Sequence, residues 1–98
     1  MKPGTFRLIG VGLSRREIRF VQRIAQHNGV EPLSEEDATA LTLALLETKE
    51  DEITHDSLIE KGIVHYWDDG ENPISKLTGY GFKIYQIIKK EELNEHAH

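Results

Sequence analysis

Among these 98 residues, four arginines at positions 15, 16, 19 and 23 have the type and spacing most suggestive of chemistry. Arg15, Arg19 and Arg23 recur every fourth residue, so a helix would carry them as one stripe, with Arg16 and Arg7 in support. Guanidinium groups spaced in this way can contact successive phosphates or an acidic partner, and they can equally be solvated or paired within the chain. Other constellations fall short of a reactive site. Ile9-Gly10-Val11-Gly12 before a helix start has the opening of a phosphate-binding loop. Arg15 stands where the third glycine belongs, and a dinucleotide fold needs more strand-helix units than the chain can hold, so a tight turn is expected. The histidines at 27, 55, 65, 96 and 98 include no pair four residues apart, the helical spacing of zinc enzymes. Asp68, Asp69 and Glu71 lack the alternation of a calcium loop and read as a solvated turn. No elbow serine or paired carboxylates stand out, so no catalytic residue, metal or cofactor is expected.

The elements that must position the arginines start with a helix opened by Ser14, with Glu17 completing a capping box. Ile18, Val21, Ile24 and Ala25 give it an apolar face, and His27-Asn28-Gly29 ends it. Before it, residues 5 to 13 read as a strand. A second helix is expected from Ser34 to about Thr48, although the alternation Ala-Thr-Ala-Leu-Thr-Leu also fits a strand. Ile53 suits a brief extended pairing, Thr54 the cap of a short helix over 55 to 61, and Gly62 its stop. Asp-Asp-Gly-Glu-Asn at 68 to 72 is turn chemistry, and Asn72-Pro73 predicts another short helix closed by Gly79 and Gly81. Residues 82 to 88 read as a strand with Phe82, Ile84, Gln86 and Ile88 on one face. The expected architecture is a compact α+β domain over residues 1 to 90, with four helices, two of them short, and a small sheet from N- and C-terminal strands. Residues 91 to 98 read as a polar, disordered tail.

Composition narrows the classes. Hydrophobic residues make up 38% and charged residues 30%, enough apolar surface for one folded domain. Cysteine is absent, which excludes disulfides, thiolate zinc sites and a cysteine nucleophile. No stretch approaches the roughly 18 apolar residues of a membrane span, so the expectation is a cytoplasmic protein without a membrane partner. The net charge of −5 conceals an asymmetry: residues 1 to 30 carry six basic side chains against one acidic, and residues 31 to 71 carry two against thirteen. The two regions either pair with each other or present faces of opposite sign to partners.

Residues 40 to 88 resemble a winged helix-turn-helix DNA-binding domain, carried by Leu45, Leu46, Ile53-Thr54, Leu58, Gly62-Ile63, Ile74, Leu77, Gly81-Phe82 and Ile84. That resemblance implies a recognition helix at 73 to 78 presenting Ser75, Lys76 and Thr78. With Arg15, Arg16, Arg19 and Arg23 these form the expected nucleic-acid contacts of a small non-enzymatic transcription regulator, able to work as a homodimer. A second resemblance is to the acidic immunity proteins that neutralise nuclease toxins. It rests on Ser34-Glu35-Glu36, His55, Tyr66-Trp67, Asp68-Asp69 and Pro73-Ile74. It implies a protein-binding inhibitor that docks on a basic partner through Tyr66, Trp67, Asp68, Asp69 and Glu71.

Overall fold

The computed structural model describes residues 12 to 27 and 29 to 96. The strand expected over residues 5 to 13 falls almost wholly outside that range, as do Ile9, Gly10 and Val11 of the glycine turn; Gly12 has a left-handed φ of 65°. The first helix, α1 (Arg15–Ala25), opens as the sequence predicts. Ser14 Oγ accepts the Glu17 amide at 3.1 Å, and the Ser14 amide donates to Glu17 Oε1 at 2.9 Å. Ile18, Phe20, Val21, Ile24 and Ala25 form its buried face.

The chain from 34 to 48 departs from the expected single helix. It divides into a 3-10 turn at Glu35–Asp37, strand β1 (Thr39–Leu41) and the short helix α2 (Thr42–Leu45). The alternation decides it: Ala38, Ala40 and Thr42 are buried, while Leu41 and Leu43 face outward. Helix α3 (Lys49–Glu60) starts well before the expected position, with Thr48 as cap and Asp51 completing a capping box. The run Lys49 to Glu52 reads as loop because it is polar, yet three acids suit the positive end of the helix. Gly62 stops α3 with a φ of 76°.

Strands β2 (Val64–Asp68) and β3 (Pro73–Leu77) form a hairpin, and β1 lies on the other side of β3, giving an antiparallel sheet of order β1-β3-β2. Residues 73 to 78 are thus not a recognition helix. Although Asn72-Pro73 signals a helix start, Asn72 instead closes the turn, its amide donating to Asp69 Oδ1 at 2.8 Å. The last element, α4 (Gly79–His96), replaces the strand expected over 82 to 88 and runs on into the segment read as a tail. Thr78 opens it by accepting the Gly81 amide at 2.9 Å. Gly81 is a packing requirement here, because a Cβ would overlap the Ile63 carbonyl oxygen. Among the described residues the result is an α+β domain with four helices and a three-stranded sheet, its core filled by Leu13, Phe20, Ile24, Leu45, Leu58, Ile63, Leu77, Ile84, Tyr85 and Ile88.

Candidate nucleic-acid interface

Burying one face of α1 turns the other outward, with Arg15, Arg16 and Arg19 exposed and Arg23 half-buried. One turn of helix separates Arg15, Arg19 and Arg23 by steps of about 6 Å along the axis. Two shallow cavities follow this face. One, of about 410 Å³, is lined by Arg15, Arg16, Arg19, Phe20, Arg23 and Asp51. The other, of about 540 Å³, shares Arg19 and Arg23 and extends to Gln26, His27, Ala44 and Leu45.

The acidic middle of the chain meets this face at one end of α3. Arg16 pairs with Glu50 at 3.0 Å, and both side chains are well exposed. Arg23 is held more firmly: its guanidinium lies 3.3 Å from Asp51, donates to the Leu45 carbonyl at 2.8 Å and sits 5.2 Å above the Phe20 ring. Burial would raise the Asp51 carboxyl, but the Glu47 and Thr48 amides and Arg23 outweigh it and hold it below the ordinary carboxylate value. Arg15 and Arg19 form no salt bridge among the described residues. The sequence therefore reveals the stripe but not which members are engaged, since each acidic partner lies 28 or more residues away.

The other expected contacts fall elsewhere. Ser75 is fully buried, so its hydroxyl is closed to any ligand. Thr78 is occupied in capping α4 and donating to the Gly62 carbonyl at 2.7 Å. Lys76 is half-buried on the opposite side of β3 from Ser75 and Leu77, in register with His65 and Thr39.

Of the residues expected to dock on a basic partner, Tyr66 and Trp67 are consecutive on β2 and so stand on opposite faces of the sheet. Tyr66 packs edge-on against His55 with centroids 5.7 Å apart, whereas Trp67 stacks on His65 at 5.1 Å. They do not form one anchor. Asp68 and Asp69 accept turn amides, and the Asn72 and Glu71 amides lower the Asp69 carboxyl. The acidic segment from Glu50 onward, expected to face a basic partner, lies on the outer face of α3. There Glu50, Glu52, Asp56 and Glu60 are exposed together with Ile53, 60% accessible, a residue that the sequence suits to an extended pairing instead.

Two buried polar clusters explain why α3 keeps its place. His55 Nε2 lies 2.7 Å from Ser75 Oγ, which lies 2.6 Å from Thr42 Oγ1, tying α3, β3 and α2 together. Burial lowers the His55 imidazole, with nearby Asp56 opposing. Although serine and histidine meet here, both are sealed from solvent, so the pair is structural. Glu17 accepts from Ser57 at 2.9 Å and Lys61 at 2.7 Å, fastening α1 to α3. Burial raises the Glu17 carboxyl, but these bonds and the Ser14 amide leave it lowered overall.

Among the described residues no cluster of three metal-ligating side chains occurs, and no helix is long and apolar enough to cross a membrane. In comparisons with known proteins, no family model, curated protein or solved structure matches this chain.

Proposed function

We propose that the protein is a small non-enzymatic regulator that binds nucleic acid through the basic face of α1. The observation that carries this reading is the row Arg15, Arg19 and Arg23 lining two adjoining cavities, with Arg15 and Arg19 outside every ion pair of the described residues. Helix, short strand, two helices and a hairpin follow in an order that suits a winged helix-turn-helix. In that reading α3 would be the helix offered to a groove, but its outer carboxylates repel phosphate, which moves the contact to α1. The test is binding of a labelled oligonucleotide at low and moderate ionic strength. Salt-sensitive binding abolished by the double variant Arg15→Glu, Arg19→Glu is the expected result; no binding at low salt sinks the proposal.

A second reading rests on the exposed Ile53 among Glu50, Glu52, Asp56 and Glu60: an apolar contact ringed by carboxylates fits a basic protein partner. Replacing Ile53 by Asp weakens such a complex and leaves oligonucleotide binding intact.

A further inference from the structure

We infer that the groove along α1 takes the backbone of single-stranded nucleic acid in preference to a duplex, an inference that rests on the nucleic-acid reading above. The two cavities share Arg19 and Arg23 and so adjoin as a groove along α1. Among the described residues, the unpaired positive charge along this groove is a single row. Glu50 and Asp51 are already paired with Arg16 and Arg23, leaving Arg15 and Arg19 as a path one guanidinium wide. Their spacing of about one helical turn, about 6 Å, is close to that of neighbouring phosphates along one strand, so the row matches a single backbone and not the two of a duplex.

A duplex suits this surface poorly. To enter a major groove about 12 Å wide, α1 would have to project clear of its neighbours. Instead, the Arg23 bond to the Leu45 carbonyl and the Arg16 pair with Glu50 bring α2 and the start of α3 alongside it. A second row of phosphates on that side meets the Glu50 and Asp51 carboxylates. A single strand meets fewer carboxylates: Asp51 also lines the first cavity, but there it is paired with Arg23. Its phosphates follow the arginines, and its unstacked bases can lie against Ala44 or stack on the guanidinium planes of Arg15 and Arg19. Gln26, the amide nearest the far end, already donates to the Tyr85 hydroxyl at 2.9 Å, and Phe20 is buried. The groove thus binds chiefly through charge and stacking, with Gln22 and His27 in the second cavity as polar side chains placed to meet a base.

Fluorescence anisotropy of labelled oligo-dT against a mixed-sequence duplex of equal length, on the full chain, tests this directly. The expected result is binding of oligo-dT at least roughly tenfold tighter than the duplex, with a log-log salt slope of about −0.7 for each of two or three phosphates. Arg15→Glu with Arg19→Glu should remove that binding while the circular dichroism spectrum stays unchanged, since both side chains are exposed. Equal or tighter duplex binding overturns the inference and leaves nucleic-acid binding standing. Oligo-dT binding that survives the double substitution overturns the assignment to this groove, and binding of neither probe overturns both readings.

Discussion

Helices α1 and α3 open with the same device and share almost nothing else. Each has a hydroxyl cap and a carboxylate three residues on, Ser14 with Glu17 and Thr48 with Asp51. Beyond the cap, α1 buries Ile18, Phe20, Val21 and Ile24 and shows arginines, whereas α3 buries Thr54, His55 and Leu58 and shows carboxylates. The difference separates two ways of holding a helix in a small domain. An apolar face is stabilised by burial alone, but a polar face must have each group satisfied by a particular partner. Every buried polar side-chain atom among the described residues has such a partner.

Four experiments can break or sharpen that contrast. The largest effect is expected at α1, where Ile24→Ala leaves a cavity in the core and should cost about 2 to 5 kcal/mol in a urea titration. Next is Ser75→Ala, which strands His55 Nε2 and the Thr42 hydroxyl and should cost about 1 to 3 kcal/mol. An unchanged midpoint would mean that α3 does not depend on its polar anchors.

The third experiment varies pH. Because burial lowers the folded His55 below its ordinary value of 6.5, falling pH protonates the unfolded chain first. The His55 contribution is therefore complete above 6.5, declines as pH falls through that value, and levels off below the folded pKa. His55→Gln should remove this step and leave the later acid losses through Glu17 and Asp51, whose folded values are lowered. The smallest change in stability is expected from Glu50→Gln, since an exposed pair such as Arg16 with Glu50 is worth about 0 to 1 kcal/mol. The same substitution frees Arg16, so oligonucleotide affinity should rise; a fall would show that Glu50 does not compete with phosphate.

The same contrast explains what the sequence could show. Helix α1 was legible because its cap is local and its apolar residues recur with the period of a helix. The Asp68 to Asn72 turn and the Gly62 stop were legible for a similar reason: a few adjacent residues determine them. Helix α3 was hidden at its start by its polar buried face. The assignments of β3 and α4 failed because distant contacts decide them. Ser75 is placed by pairing with both β1 and β2 and Leu77 by pairing with β2, and Gly81, a helix breaker by propensity, is required by the Ile63 carbonyl. In the candidate interface the arginines were visible, whereas the carboxylates that engage two of them lie on another helix.

The Thr42, Ser75 and His55 chain also has a direction. If His55 Nε2 carries no proton, Ser75 must donate to it and receive its own hydrogen bond from Thr42. If Nε2 carries the proton, it donates to Ser75, whose hydroxyl can then donate to Thr42 or accept from it as well. The imidazole tautomer therefore decides how far the two hydroxyls are fixed: one tautomer locks both rotors and the other releases them, at a junction of α2, β3 and α3 closed to solvent.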